Sequence, residues 1–429
     1  MRQRSAPPAL RAAIKIARYV NGYSHMTSAL MDTPDGIPTL CVSGAQNLKG
    51  RAEIVAAVAA EHGDAVDRDA RFPSETFAAA RAQRLLGVLA PVELGGEGAS
   101  VSDAVDVCYM LGKSCASSAM IFAMHQIMAA ILVRHARASV WHRQLLQRLT
   151  AEQLLLASST TENQTGGDVR ASACVVERTG ARMALVKNAT VMSYGAQADG
   201  ILTTARRSAD SAASDQVLVA FLKEDYELER IVDWDVLGMR GTCSTGFTLR
   251  AQGGVEQILP DAYEKIHTQS MVPVAHLTWS GVWTGIAAGA VGRARRFVRG
   301  AARHGSGQLP PGAAHLTRAV MPLRALRGSV AAALQHYETA AMSEDGLAAL
   351  EFQTAMNLLK VNSSEAAIAT VMSALQACGL SGYRNTGEFS ICRSLRDVLS
   401  SSIMINNDRI LANAASALLL VDIPALLRD

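Results

Sequence analysis

The chain has 429 residues, of which 49% are hydrophobic and 18% are charged, and its formal net charge is only +3. A chain of this length can bury a large core and is expected to form two or three domains. The small net charge argues against a dedicated nucleic-acid surface, and the absence of a long uncharged apolar run predicts no membrane span. The seven cysteines are scattered without a CxxC pair or zinc-like histidine spacing, which predicts no metal site and a cytoplasmic location.

The first 50 residues are predicted to be a tail and linker. Residues 1–31 contain five basic residues and no Asp or Glu, a bias that organelle transit peptides share. A disordered tail explains the same bias, and so does a start site assigned too far upstream, with Met26 as the true beginning. These two interpretations are favoured over a transit peptide.

Residues 51–153 are predicted to form an N-terminal helical domain, because apolar residues recur at three- and four-residue spacing. Helices are expected at 52–63, 73–87, 102–113 and 117–133, with Ser102-Asp103 as the cap of the third. His125 lies inside the fourth helix, among apolar residues. Either it faces a cofactor or substrate, or it is a core imidazole bonded to a backbone carbonyl, and the second interpretation is favoured.

Residues 154–262 are predicted to form a central β domain. Short β-rich runs separated by Gly, Asn and Ser lie at 154–178, 183–193, 200–205 and 217–223. Two motifs stand out within this region. Thr161-Glu162 is followed by Gly166-Gly167-Asp168, and residues 237–247 read LGMRGTCSTGF.

Residues 263–429 are predicted to be helical almost throughout. Long helices are expected at 276–303, 314–342 and 347–378, and the first is rich in Gly and Ala, which lets another helix approach closely. Lys360 and Glu365 on the last of these are predicted to be solvated or interface charges.

The third long helix runs into a turn that contains Gly379 and Gly382. Two glycines so close permit a tight backbone turn whose amide groups are expected to be free for an anion. Arg396-Asp397 then opens a further run, and the Asn and Asp residues at 406–408 favour a local turn.

These motifs, in this order over roughly residues 50–420, resemble those of the acyl-CoA dehydrogenase superfamily. The resemblance implies an α+β fold with an N-terminal helical domain, a central β-barrel-like domain and a C-terminal four-helix bundle. It also implies FAD as the cofactor, an acyl-thioester substrate, a homodimer or homotetramer, and an electron-transfer or flavin-reductase partner. The cofactor-binding residues that it implies are Thr161, Gly166, Gly167, Ser193, Arg303, Gln376, Gly379, Gly382 and Asn407.

The same resemblance leaves the catalytic base without a counterpart. When Arg396-Asp397 is matched to the family's Arg-Asp, the catalytic Glu falls on Ile405, and a second base position used by some members falls on Val282. Neither side chain accepts a proton. The candidates that remain are Asp408, His125, Glu388 and Glu162.

Three interpretations of the function stay open. The first is α,β-dehydrogenation of a CoA-bound or carrier-protein-bound acyl thioester by a relocated base, and the motifs at 161–168 and 237–247 place it first. The second is a two-component flavin monooxygenase of the same fold, favoured by the missing Glu and by His125, Trp279 and Trp283. The third is a non-catalytic flavin-binding or assembly subunit.

Overall fold

A computed structural model describes residues 47–162, 169–305, 307–343 and 345–422. Two helical regions flank a central region of β-strands along the chain, which confirms the predicted α+β class. The predicted tail up to residue 46 and the Gly166-Gly167 pair lie outside the described residues.

The N-terminal helices between residues 47 and 153 are α1 (Leu48–Arg68), α2 (Ser74–Ala82), α3 (Val101–Gly112), α4 (Ala116–His135) and α5 (Val140–Glu152). Helix α1 begins three residues inside the predicted linker, because Asn47 Oδ1 caps it by accepting a hydrogen bond from the Gly50 N–H at 2.9 Å. The cap of α3 is Ser100 and not Ser102-Asp103. Ser100 and Asp103 satisfy each other's backbone N–H groups, at 2.8 and 3.1 Å, in a capping box.

Helix α4 is buried on nearly every side. By length and composition it is the one helix among the described residues that could cross a membrane, but 89% of its apolar window is buried inside the protein. It packs against α3 and β1. The helix is therefore a core element of this fold.

The strands are β1 (Leu156–Ser159), β2 (Glu177–Thr179), β3 (Arg182–Met192), β4 (Gly200–Arg206), β5 (Gln216–Leu222), β6 (Tyr226–Val232) and β7 (Thr245–Gly254). One sheet has the order β1-β4-β5, in which β1 and β4 are parallel, and the other has the order β2-β3-β7-β6 and is antiparallel. The predicted β-barrel-like domain is thus two sheets, and a closed barrel is not seen in the part of the chain that the structure describes. Strand β3 alternates exposed and buried residues, whereas β5 is buried throughout, so the two sheets are covered differently.

The C-terminal helices are α6 (Tyr263–Ile266), α7 (Val272–His304), α8 (Ala313–Ala340), α9 (Leu350–Cys378), α10 (Leu380–Tyr383), α11 (Cys392–Leu399) and α12 (Asn407–Ala417). A π-helical turn at 267–271 joins α6 to α7. The three long helices α7, α8 and α9 pack against one another, and α11 and α12 pack on α9. The predicted long helices are confirmed to within a few residues at each end.

The glycines of α7 serve as predicted, and the helix that approaches them is α3. A Cβ atom at Gly285 would lie 2.4 Å from the carbonyl oxygen of Tyr109, and one at Gly289 would lie 2.7 Å from that of Lys113. Real Cβ atoms do not approach so closely, so this crossing requires glycine at both positions. The contact ties the C-terminal helices to the N-terminal region.

Candidate active site

The segment between α11 and α12 carries the position where the resemblance places the catalytic Glu. Ile405 occupies that position with a φ of +46°, a left-handed conformation that β-branched residues rarely adopt. Its side chain is 41% exposed and offers no proton acceptor. Val282, at the second base position, is fully buried and equally apolar. The structure therefore holds no carboxylate at either position.

Lys360 lies directly behind Ile405. Its Nζ donates hydrogen bonds of 2.7 Å to the Ile405 carbonyl oxygen and of 2.7 Å to Asn407 Oδ1, and Asn407 Nδ2 donates to Ser364 Oγ at 2.8 Å. The Lys360 side chain is fully buried, and burial lowers its pKa to about 8. The prediction of a solvated or interface charge is therefore wrong for Lys360, because the partner carbonyl comes from a loop that is 45 residues away in sequence. Glu365 is exposed, as predicted.

Two tryptophans of α7 line the same part of the helical core. Lys360 Nζ lies 5.7 Å from the ring centroid of Trp283, and the rings of Trp283 and Trp279 are 6.3 Å apart. Both indole N–H groups are buried and have no hydrogen-bond partner among the described residues. His276 packs on Trp279 and bonds the Met356 carbonyl through Nδ1 at 3.0 Å, and burial lowers its pKa to about 3. The interior around Lys360, behind Ile405, is thus aromatic, and neither residue 282 nor residue 405 offers a carboxylate.

His125 is a core imidazole, as the favoured interpretation predicted. Nε2 donates to the Leu86 carbonyl oxygen at 2.8 Å, and Nδ1 accepts from the Leu156 N–H at 3.0 Å. Both ring nitrogens are therefore occupied, and burial lowers the pKa of the ring to about 4. A neutral, fully bonded histidine of this kind joins α4 to the strand β1 and is not placed to take a proton from a substrate.

The remaining carboxylate candidates also have other surroundings. Asp408 is exposed in the first turn of α12, where a negative charge is favourable. Glu388 is exposed and lies 3.7 Å from the Arg296 guanidinium. Glu162 is buried against Lys187, with Oε1 3.1 Å from Nζ. Asp408 and Glu388 are exposed, and Glu162 is paired with Lys187, so none of the three is a buried base beside Ile405.

Glu162 instead fixes the segment that contains Thr161. Its carboxylate accepts hydrogen bonds from the Ala173 and Cys174 N–H groups at 2.8 and 3.1 Å. Burial alone would raise the pKa of Glu162, but the Lys187 ammonium and these hydrogen bonds hold it below the usual value. The buried pair anchors the loop to strand β3.

Two hydroxyl groups expected at the flavin ring lie on or next to β3. Thr161 Oγ1 donates to the Val191 carbonyl oxygen at 3.3 Å, and its residue is half-buried. Ser193 Oγ is 2.8 Å from Ser244 Oγ, which is in turn 2.7 Å from Thr242 Oγ1. Val191 leaves an apolar, 41% exposed side chain at the edge of the sheet. This region therefore offers an apolar surface for the face of a flat ring and hydroxyl groups for the carbonyl groups at its edge.

The residues expected at the flavin phosphates lie at the ends of α7 and α9. Arg303, Gln376 and Gly379 are exposed, and Gly379 has a φ of +54°. Gly382 is buried, and a Cβ there would lie 2.7 Å from the Cβ of Cys378. The two glycines are thus required for different reasons, one for its backbone conformation and the other for close packing.

The amides of these two glycines are not free, in contrast to the expectation. The Gly379 N–H bonds the Leu375 carbonyl at 3.0 Å, and the Gly382 N–H bonds the Gly379 carbonyl at 3.0 Å. The amides of Leu380 and Ser381 between them have no recorded acceptor in the described part of the chain. An anion at this turn would therefore meet the two intervening amides.

The 237–247 motif and the Arg396-Asp397 pair bind each other, a contact that the residue patterns did not predict. Asp397 Oδ1 accepts the Met239 N–H at 2.7 Å, and a Cβ at Gly238 would lie 2.1 Å from the Arg396 carbonyl oxygen. Arg396 forms an ion pair with Asp67 on α1. Burial raises the pKa of Asp397 to about 6. Neither motif by itself predicts this contact, because it joins residues 158 positions apart in the chain.

Arg240, in the same loop, also has a structural role. Its Nε donates to the Asp67 carbonyl oxygen at 2.8 Å and its Nη1 to the Val236 carbonyl oxygen at 3.1 Å. The nearest carboxylate in the described structure, that of Asp235, is 3.9 Å away. Arg240 is therefore held mainly by backbone carbonyl oxygens.

Comparison with known families agrees with these features. The family model for the acyl-CoA dehydrogenase N-terminal domain matches residues 48–153, and the one for the C-terminal domain matches residues 269–416. A stretch of 107 residues is 38% identical to 3-sulfinopropanoyl-CoA desulfinase of Paraburkholderia xenovorans (strain LB400). That stretch is 25% of this chain and spans only 27% of the relative.

Solved structures share the fold over most of the chain. FMN-bound TdsC from Paenibacillus sp. A11-2 has a TM-score of 0.77 at 17% identity, covering 90% of this chain and 100% of that one. Methanesulfinate monooxygenase MsuC from Pseudomonas fluorescens has a TM-score of 0.74 at 18% identity, with coverage of 90% and 100%. Butyryl-CoA dehydrogenase from Megasphaera elsdenii has a TM-score of 0.71 at 16% identity, with coverage of 88% and 99%. At these identities the likeness concerns the fold alone.

Proposed function

Since the chain belongs to the acyl-CoA dehydrogenase superfamily, whose members depend on flavin, we propose that it is a flavin-dependent oxidoreductase whose reaction does not begin with proton abstraction by a carboxylate. The observation that carries this proposal is the apolar side chain of Ile405 at the usual base position. Val282 at the second base position supports it, because removal of an α-proton needs a nearby group whose pKa approaches neutrality.

The chain's own residues fit a flavin. Thr161 and Ser193 would hold the ring edge, and the exposed Val191 would cover one ring face. Arg303 and Gln376, with the Leu380 and Ser381 amides, would hold phosphate groups. This phosphate-binding set favours FAD, as the resemblance implies, and extraction of the bound cofactor with chromatographic identification distinguishes FAD from FMN.

A two-component flavin monooxygenase is the reaction type that these surroundings support best. When bound, reduced flavin supplies the two electrons with which one atom of O2 enters the substrate and the other leaves as water. The protein's part is to bind the substrate, orient it and exclude water, which needs no carboxylate. The buried rings of Trp279 and Trp283 and the apolar Ile405 provide such a lining. A separate flavin reductase is then the expected partner.

An acyl-thioester reaction is the second candidate, and a specific observation favours it. The 107-residue similarity is to a protein named as a desulfinase of an acyl-CoA, and loss of a sulfinate group breaks a carbon–sulfur bond in place of an α-C–H bond. Such a reaction, like oxygenation, does not require a Glu at Ile405. Conventional α,β-dehydrogenation, the function placed first from sequence, requires a relocated base, and Asp408 and Glu388 are the exposed candidates for it.

The proposed active unit is a homo-oligomer. Arg303, Gln376 and Gly379 are exposed at the ends of two helices, next to the strongly exposed apolar residues Leu380 and Tyr383, at 71% and 70%. A second copy that covers this surface would bury the apolar residues and complete the phosphate site. Sedimentation of the protein with and without flavin tests for the dimer or tetramer.

One experiment separates the candidate functions. The purified protein is loaded with flavin and mixed without oxygen with butyryl-CoA or 3-sulfinopropanoyl-CoA, while absorbance and released sulfite are followed. In parallel, the flavin is reduced chemically and the protein is mixed with isotopically labelled O2 and indole, dibenzothiophene or methanesulfinate. Free flavin at the same concentration is the control.

Labelled oxygen in a product supports the monooxygenase, and release of sulfite from 3-sulfinopropanoyl-CoA supports the second candidate. A protein that takes up no flavin contradicts both and leaves the non-catalytic subunit. Rapid bleaching by butyryl-CoA contradicts the base-free proposal, because that reaction removes an α-proton.

A further inference from the structure

Ile405 is held in an unfavourable backbone conformation. A φ of +46° brings the Cβ of a β-branched residue close to its own backbone, and such residues are outliers in this region. Residues in these conformations persist only when their surroundings enforce them, and they concentrate at functional sites. Something near Ile405 must therefore stabilise the conformation.

The stabilising group is the ammonium of Lys360. Nζ donates to the carbonyl oxygen of Ile405 itself and to the side chain of Asn407, both at 2.7 Å. Asn407 is in turn fixed by its bond to Ser364, whose Oγ donates to the Val361 carbonyl oxygen at 2.9 Å. Ser364 and Val361 belong to the same helix as Lys360, so the loop is attached at two points to one rigid element.

The ammonium has no carboxylate partner within 4 Å in the described part of the chain. It is fully buried, and its Nζ lies over the face of Trp283, 5.7 Å from the ring centroid. A buried charge compensated only by a carbonyl, an amide and an aromatic ring is costly to keep. An apolar residue would fill the space without that cost, so the retained lysine points to a task other than packing.

We propose that Lys360 is a positioning residue that holds Ile405 in its left-handed conformation and so directs the isoleucine side chain into the active site. The inference rests on the proposed function for the placement of Ile405 beside the substrate. Ile405 then forms an apolar wall where a dehydrogenase has its carboxylate, and the substrate presents an uncharged, apolar group to it. Lys360 acts through the loop and touches no reacting atom.

The test asks whether removal of the conformational strain makes Lys360 dispensable. Lys360→Met keeps the length of the side chain and removes the charge, and Ile405→Gly allows a positive φ without strain. We expect Lys360→Met to lower the unfolding midpoint and to speed hydrogen exchange over residues 400–407. The double variant Lys360→Met/Ile405→Gly should recover at least half of both losses.

Two matched controls make the rescue specific. Ile403 is 71% exposed two residues earlier and has a φ of −93°, so Ile403→Gly relieves no strain. Lys187 is another fully buried lysine, and Ile405→Gly should not rescue Lys187→Met. Rescue by Ile403→Gly to the same extent, or no rescue by Ile405→Gly, overturns the proposal. Should Lys360→Met fail to fold, Asn407→Ala takes its place in the same scheme.

A functional readout separates this inference from the proposed function. In flavin-loaded protein, Lys360→Met should raise KM for the active substrate by about tenfold while kcat changes little, because the apolar wall is displaced and the chemistry is not. A fall in kcat alone contradicts a positioning role. If the protein binds no flavin, the proposed function fails, yet the stability rescue still decides whether Lys360 holds Ile405.

Discussion

Buried polar side chains in this protein are satisfied by backbone groups that lie far away in the sequence. His125 bonds the carbonyl of Leu86 and the amide of Leu156, and Lys360 bonds the carbonyl of Ile405. Each side chain joins its own helix to a loop or strand. The sequence favoured a core role for His125 over a site and predicted a solvated or interface charge for Lys360, and burial gives both a structural partner.

The buried imidazole of His125 makes stability sensitive to acid. Burial lowers its pKa from 6.5 to about 4 in the folded protein, so between these values the unfolded chain binds a proton that the folded chain does not. Stability therefore falls as the pH drops from 6.5 towards 4, by up to about 3 kcal/mol from this group. His142 and His276 shift in the same direction and add to the effect.

Glutamine does not titrate, so the stability of the His125→Gln variant should fall less steeply than that of the wild type as the pH drops from 6.5 towards 4. Urea unfolding at intervals from pH 7 to pH 4 measures it, and a variant with the same slope as the wild type contradicts the assignment. The flavin content at pH 7 should be unchanged, since the imidazole faces the core.

The buried Lys360 makes the stability of the folded protein depend on pH in the alkaline range. Burial lowers its pKa from 10.5 to about 8, so between these values the unfolded chain again holds the extra proton. This group alone makes the folded state more stable as the pH rises from 8 to 10.5. Lys360→Met should remove the rise, measured as the urea midpoint over that range. A rise of equal size in the variant would show that another group is responsible.

At the scale of elements, the turn before β7 packs tightly against helix α11. Gly238 contacts the backbone of Arg396, and Asp397 accepts the amide of Met239. Arg396 extends the contact to Asp67 on α1. Three regions of the chain therefore meet at one small turn, so Gly238 and Met239 of the 237–247 motif have a structural role.

Gly238→Ala should destabilise the protein by about 1–3 kcal/mol, because the new Cβ would lie 2.1 Å from a backbone oxygen. Gly292→Ala is the matched control, since a Cβ there meets nothing within 4 Å and the position is inside helix α7. The control should gain about 0.5–1 kcal/mol from better helix propensity. Denaturant unfolding measures the free energy of unfolding of both variants. Equal changes in the two would contradict the tight contact between Gly238 and Arg396.

At the scale of the whole molecule, helices from both ends of the chain and the two sheets bring the Ile405 loop, the tryptophans of α7 and the hydroxyl groups near β3 into a single fold. The family's N-terminal and C-terminal domains both match this chain, whereas residues 282 and 405 carry no carboxylate.

Introducing a glutamate at residue 405 tests whether this residue corresponds to the catalytic Glu of the family. Ile405→Glu should allow butyryl-CoA to bleach the bound flavin anaerobically, about 10²-fold faster than in the wild type, because a general base then stands at the family position. Ile403→Glu adds the same charge two residues away and should have no effect. A flavin-loaded Ile405→Glu protein that remains inert would show that the register at 405, or the thioester substrate, is wrong.

Local residue patterns were enough to predict the order of helical and β regions, because hydrophobic periodicity depends only on local spacing. The motifs at 161–168, 237–247 and 376–411 were enough to identify the family, because they depend on residue type and order. The helix α5, the strand β6 and the two-sheet arrangement were not predicted, since their boundaries depend on partners elsewhere in the chain.

The roles of the polar residues depend on contacts between distant parts of the chain. Lys360 was assigned to a surface, and the loop carbonyl that buries it comes from a different element. The pairing of Gly238 with Arg396-Asp397 joins motifs almost 160 residues apart, and the left-handed conformation of Ile405 has no sequence signal in a β-branched residue. Local propensity acts over a few residues, whereas the compensation of a buried charge or a strained backbone depends on which distant atoms the fold brings within 3 Å.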